Sequence, residues 1–282
     1  MKVLALGGFD GLHRGHMAIV ERAVSISPDA SVLCFEPVPR QVLACAKHAR
    51  LTTPGERRKI LSEAGLCGLV VHPFDGATMA SGPCEFLDAI LESCCFEQIV
   101  VGYDFGFGSG RAGSAPTLRA WCSERSVGLH VVDPVCHGGE PVKSRRIRLL
   151  VSQAGLDEAA ELLGREYSAL GAVSRGTGLS SKLGFPTLNV RVPEAKLLPP
   201  PGSYAATVDL DGSVRPAAVF IPRGDACICE AHIPGWSGDA YGRAAWIGFR
   251  WFLRPPESGL TSGELTGRIA RDVERVLEVV KG

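Results

Sequence analysis

The chain has 282 residues and balances 30 Lys and Arg against 30 Asp and Glu. That length admits two modest domains, and a net charge of zero gives no broad electrostatic reason to bind nucleic acid or an anionic membrane surface. No run approaches the ~18 apolar residues of a membrane span, and the short apolar start ends at Gly7, too early for a signal-peptide core. The expected setting is the cytoplasm. There the ten cysteines, which include no C-x-x-C pair, are expected to be reduced and mostly buried as small core hydrophobes.

Residues 2–6, 31–35, 68–71, 98–101 and 128–132 are short apolar runs of the kind that forms buried strands. Residues 15–24 and 84–95 lie between them at helical spacing, with Phe86, Leu87, Ile90, Leu91 and Cys94 on one side. Strand and helix in alternation predict βαβ units on a doubly wound parallel sheet. A helical passage follows at 153–164, and then the texture changes. Runs at 203–210, 215–221, 226–233 and 243–253 read as strands joined by turns, with Asp211-Gly212 as a hairpin signal. These predict an antiparallel β-barrel or sandwich. Residues 262–280 return to helix, with Leu265, Ile269, Val273, Val276 and Val280 on one stripe. The division is expected near residue 160, giving domains 1–160 and 161–282.

Residues 7–16 read G-G-F-D-G-L-H-R-G-H, after the first strand and before the first helix. Loops at the carboxyl ends of parallel strands are where open α/β sheets bind ligands. Glycines there let backbone N–H groups approach an anion, and the helix N-terminus adds partial positive charge. His13 and His16 bracket Gly15. Two imidazole donors so placed can stabilise charge that develops when a nucleophile attacks the α-phosphate of ATP. H-x-G-H in this position is the signature of the nucleotidyltransferase superfamily. A second basic element, V-K-S-R-R-I-R at 142–148, opens a helix after the last strand of the domain. Its Ser and Arg side chains suit the β- and γ-phosphates.

The chain resembles the prokaryotic bifunctional riboflavin kinase/FMN adenylyltransferase family over nearly its full length. Residues 7–16 are similar to G-N-F-D-G-x-H-x-G-H, 35–39 to F-x-P-H-P, 101–108 to V-G-x-D-F-R-F-G and 142–148 to V-S-S-T-R-I-R. The resemblance implies ATP contacts from Gly7, Phe9, Asp10, Gly15, Ser144 and Arg146, with His13, His16 and Arg148 stabilising developing charge. It implies flavin contacts from Tyr103, Asp104, Phe105 and Phe107. In the second domain L-G-F-P-T-L-N at 183–189 is similar to L-G-F-P-T-A-N, and Glu230 falls in a matching E-x-H. In a strand Thr187 and Asn189 point to one face, and a hydroxyl beside an amide oxygen suits Mg2+. The resemblance makes Thr187 and Asn189 ligands of magnesium-bound ATP and Glu230 the base for the ribityl hydroxyl. It also places Gly176, Lys182 and Gly184 at the nucleotide.

Departures accompany these matches. Gly8 stands for Asn, Val38 for His, Gly106 for Arg, and Lys143 and Arg145 for Ser and Thr. In the barrel the flap 176–184 lacks a central Gly and two Arg, with Ser180 among the changed positions. Phe220 and Pro222 replace Asn and Gly of a ligand loop, and Pro removes an N–H donor. The leading expectation is ATP + FMN → FAD + pyrophosphate in the first domain and riboflavin phosphorylation in the second. Three alternatives stay open: another acceptor such as nicotinamide mononucleotide or phosphopantetheine, an adenylyltransferase with a barrel that only binds flavin, and a flavin-binding regulatory protein with decayed sites.

Overall fold

Parallel strands covered on both faces need apolar residues at every position, and the first strand, V-L-A-L, meets that demand with no residue more than 2% exposed. The computed structural model describes residues 1–38, 49–176, 183–224 and 227–279. The chain packs as two units, Met1–His48 with Arg57–Ser144, and Ala49–Glu56 with Arg145–Gly282. Residues 145–160, assigned by texture to the first domain, pack with the second.

In the first unit five parallel strands lie in the order β3-β2-β1-β4-β5. They are β1 (Val3–Leu6), β2 (Ala30–Glu36), β3 (Gly68–Pro73), β4 (Gln98–Gly102) and β5 (Gly128–Val132). The five expected strands are all present, within a residue or two at their ends. Helices α1 (Arg14–Ile26), α2 (Pro54–Glu63), α3 (Gly76–Ala80), α4 (Pro83–Cys94) and α5 (Ala115–Glu124) supply connections. Three of them, α2, α3 and α5, were not expected. The run P-G-E-R-R-K-I-L-S-E of α2 has little apolar periodicity, and α3 has five residues. By contrast α5 buries Leu118, Trp121 and Cys122, spaced three and four apart, a legible stripe. The core joins Leu4, Leu6, Leu33, Phe35, Phe86, Ile90 and Trp121. The strand order reverses between β1 and β4, which makes a topological switch point at their carboxyl ends.

A short hairpin, β6 (Cys136–His137) and β7 (Glu140–Pro141), precedes α6 (Ser144–Ser152) and α7 (Leu156–Leu163). Strands β8 (Tyr167–Ser174), β9 (Leu188–Arg191), β10 (Gly202–Leu210), β11 (Ser213–Ile221), β12 (Ile228–His232) and β13 (Ala244–Arg254) close an antiparallel barrel in the order β10-β11-β12-β9-β8-β13. Asp211 and Gly212 turn from β10 to β11 with φ of 51° and 83°, the left-handed pair that a two-residue hairpin requires. The final helix, α8 (Ser262–Val279), sets Val276 against Ala205 and Ala218 of the barrel. Its buried Asp272 accepts from Ser203 Oγ at 2.8 Å and pairs with Arg254 at 2.8 Å.

Segment Ala49–Glu56 is part of this second unit. Leu197 N–H donates to the Arg50 carbonyl at 2.8 Å. Glu56 accepts from Thr53 N–H and Leu170 N–H, each at 2.8 Å, and from Lys196 Nζ at 2.9 Å. Both side chains of the Glu56–Lys196 pair are 1% exposed. Such a pair survives burial only when hydrogen bonds satisfy the remaining atoms, as they do here.

The cysteines depart from expectation. Among the described ones Cys34, Cys122 and Cys229 are buried, whereas Cys67, Cys84, Cys95 and Cys136 are exposed. Cys67 and Cys95 follow the ends of helices and Cys136 sits in a two-residue strand, so apolar neighbours in sequence did not mean burial there.

Candidate active sites

The loop after β1 is wound tightly. Phe9, Gly11 and Leu12 have φ of 44°, 94° and 45°, all in the left-handed region. For Phe9 and Leu12 that backbone costs of order 1–3 kcal/mol each. It is offset by burial, since both side chains are 0% exposed. The winding delivers His13 to the N-cap of α1, where its Nδ1 accepts the His16 N–H at 3.3 Å. An accepting Nδ1 leaves the proton of the neutral ring on Nε2. The two imidazoles stack with centroids 3.7 Å apart and planes 16° from parallel. Phe9 packs its ring 5.3 Å from that of His16, so its side chain supports the histidine from the interior. A Cβ on Gly7 would come within 3.1 Å of the Phe9 ring, and one on Gly15 within 3.3 Å of the His13 ring. At Gly8 a Cβ would meet nothing within 4 Å, so the place of the missing Asn is open.

Residues 142–148 divide. Ser144 Oγ donates to the Asp10 carbonyl at 2.8 Å, which ties the start of α6 to the histidine loop. Arg146 pairs with Glu158, and Arg148 donates to the Ala49 carbonyl, all within the second unit. The loop after β4 holds the residues expected to meet flavin. Tyr103 is 39% exposed, and Asp104 pairs with Lys143 at 3.4 Å. Phe105 and Phe107 stack on each other with centroids 5.3 Å apart. Phe107 is 4% exposed and belongs to the core, so its ring backs the loop.

In the barrel Glu230 of β12 lies between Asn189 of β9 and Phe220 of β11 in register. Burial raises its carboxyl above the ordinary Glu range. Phe220 offers no donor to offset that desolvation. A Cβ at Gly176 would lie 2.1 Å from Asn189 Nδ2, so a side chain at 176 would displace the Asn189 amide. Thr187 is half-buried and immediately precedes β9, and Gly184 is exposed with φ of 84°. Lys182 and Ser180 fall outside the described residues. The Thr187 hydroxyl and the Asn189 amide oxygen are oxygen donors of the kind that fits a hard cation taking its other ligands from phosphates.

Sequence reasoning had not singled out Arg111. Its guanidinium fills the space beside Gly106 and donates to the Asp104 carbonyl at 3.0 Å. Its position five residues after Gly106, in G-S-G-R, was the available signal. Nothing in the sequence pattern linked Lys143 to Asp104 or Gly176 to Asn189.

Comparison with known proteins follows the same division. Residues 1–146 match the FAD synthetase family and residues 163–280 the riboflavin kinase family. A bifunctional riboflavin kinase/FMN adenylyltransferase from Listeria monocytogenes is 30% identical over 266 residues, spanning 90% of this chain and 84% of that protein. Its counterpart from Escherichia coli K12 is 30% identical over 286 residues, spanning 96% and 90%. A crystal structure of a macrolide-efflux protein from Streptococcus pneumoniae is similar at a TM-score of 0.84 and 22% identity, covering 97% of this chain and 92% of that one, and shows the fold.

Proposed function

Because the chain belongs to the bifunctional riboflavin kinase/FMN adenylyltransferase family, we propose that it makes FAD from riboflavin in two ATP-dependent steps. Residues 161–282 phosphorylate riboflavin to FMN, and residues 1–160 join FMN to AMP. The observation that carries the second step is the stacked His13–His16 pair at the N-terminus of α1, at the switch point of the sheet.

In that step a phosphate oxygen of FMN attacks the α-phosphorus of ATP. The bond from phosphorus to the α–β bridging oxygen breaks, and pyrophosphate leaves. His13, donating through Nε2, and His16 offset charge that grows on the reacting oxygens. Backbone N–H groups of the loop at Gly7, Phe9, Asp10 and Gly15 hold the triphosphate, aided by the α1 dipole. Ser144, Arg146 and Arg148 lie along the helix that Ser144 opens and supply donors and cations for the leaving pyrophosphate. Tyr103, Asp104 and Phe105 shape the flavin site over the support of Phe107. No covalent enzyme intermediate is involved.

For phosphorylation Glu230 takes the proton of the ribityl hydroxyl as that oxygen attacks the γ-phosphorus of ATP, the bond to the β–γ bridging oxygen breaks and ADP leaves; Thr187 and Asn189 would hold Mg2+ there. Gly176, Lys182 and Gly184 contact the nucleotide. Bound Mg2+ would neutralise phosphate charge in both steps. The substrates are small molecules, neither nucleic acid nor membrane enters this reading, and the cytoplasm is its proposed setting. His16→Ala tests the first site: kcat for FAD formation should fall about 10²–10³-fold with little change in ATP affinity. An unchanged kcat would remove His16 from the reaction.

A further inference from the structure

Lys143 is a side chain that neither the histidine loop nor the family pattern explains. That pattern has Ser in its place. Its chain neighbours are fixed against the histidine loop. The Val142 carbonyl lies 3.6 Å from where a Gly15 Cβ would stand, and Ser144 Oγ bonds the Asp10 carbonyl at 2.8 Å. Its own ammonium reaches the loop after β4, 3.4 Å from Asp104 Oδ2 and 5.8 Å from the Tyr103 ring centroid. Lys143 thus bridges the nucleotide loop and the loop assigned to the acceptor. Tyr103, and then Asp104, hold this ammonium above the ordinary lysine range, so it is charged at neutral pH.

A second observation concerns position 106, where the pattern has Arg and this chain has Gly. A Cβ there would fall 2.8 Å from Arg111 Nη2 and 2.9 Å from its Nε. Arg111 fills that space and is engaged with the Asp104 carbonyl at 3.0 Å. Around Asp104, then, one cation of the pattern is absent at 106 and one has been added at 143.

Resting on the adenylyl-transfer reading above, we propose that Lys143 binds the phosphate of the FMN acceptor and presents it to the histidine loop. The reaction must bring a phosphate monoester against the phosphates of ATP, and a cation between them offsets the repulsion. Lysine is a mobile point charge, suited to following a phosphate as it moves. The Asp104 pair is 54% and 57% exposed on its two sides, so it holds the ammonium weakly and yields to an arriving anion. Riboflavin has no phosphate to offer Lys143, so the contact also distinguishes the two flavins.

The test is Lys143→Ser in the full-length protein, with KM measured separately for FMN and for ATP. We expect KM for FMN to rise about tenfold and KM for ATP to stay within about twofold. Adding Gly106→Arg to that variant should restore most of the loss, because Arg111 meets position 106 with the far end of a flexible side chain. A KM for FMN that does not change, or that rises only in step with that for ATP, overturns the assignment. FMN binding by flavin fluorescence separates this from failure of the reading itself. If the parent makes no FAD, adenylyl transfer is wrong, and Lys143→Ser weakening no FMN site then overturns the Lys143 role as well.

Discussion

His13 holds two tasks that one substitution can separate. Its Nδ1 caps α1 by accepting the His16 N–H at 3.3 Å, and its ring stacks on His16 at 3.7 Å. Loss of a side-chain cap costs about 1 kcal/mol. Loss of a donor to developing charge costs about 10²–10³ in kcat, roughly 3–4 kcal/mol of barrier. His13→Ala removes both. His13→Asn keeps an oxygen able to accept the N–H three residues on, so it keeps the cap and loses the imidazole. We therefore expect the Asn variant to melt above the Ala variant by a few degrees, while both lose FAD formation to a similar extent. Thermal unfolding followed by circular dichroism gives the first quantity, and steady-state pyrophosphate release gives the second. An Asn variant with the parent's kcat would reduce His13 to a capping residue. Equal stability of the two variants would show that the cap does not act.

Other positions give predictions of different sign. Gly15→Ala gains up to about 1 kcal/mol of helix propensity and crowds the ring that caps α1, so its net effect on stability should be small. Its methyl group would stand 3.3 Å from the His13 ring, however, and turnover should fall about 10–100-fold; retained turnover would mean that the ring position is not critical. Glu230→Gln should abolish riboflavin phosphorylation. In the parent that activity should fall with acidification, with a midpoint above the ordinary Glu value of 4.5 because burial raises the carboxyl. The linked stability effect has a definite sign. A raised carboxyl favours the folded state below its unfolded value, and that contribution is lost as pH rises through the folded one. Glu230→Gln should therefore match the parent near pH 4 and be the more stable at neutral pH in urea titrations; lower stability at neutral pH would contradict the burial argument. Glu56→Ala takes the carboxylate from the buried Lys196 ammonium, which keeps the Leu51 carbonyl, and strands two backbone N–H groups. It should cost about 3–5 kcal/mol in urea unfolding of the second unit, and a loss under 1 kcal/mol would refute that role.

Much of this was readable in the sequence for identifiable reasons. The central strands β2, β1 and β4 are apolar at nearly every position because both of their faces are covered, and that signal survives without any structure. The His-x-Gly-His loop was legible because glycine, histidine and their place after a strand all carry chemistry. Side-chain directions within the motifs were not legible. Phe9 and Phe107 sit in motifs expected to contact ligand, yet both are buried supports. Helix α2 escaped notice because it is largely charged, and segment Ala49–Glu56 reaches its partners only through contacts remote in sequence. The Lys143–Asp104 pair joins residues 39 positions apart, and no local pattern encodes it.

The most direct test incubates the purified protein with ATP, Mg2+ and either riboflavin or FMN, then separates the flavins by chromatography and measures pyrophosphate. We expect FAD from both substrates, with one pyrophosphate per FAD and with FMN appearing first when riboflavin is supplied. FAD from FMN alone would contradict the kinase assignment, and no FAD from either would contradict the proposed function as a whole.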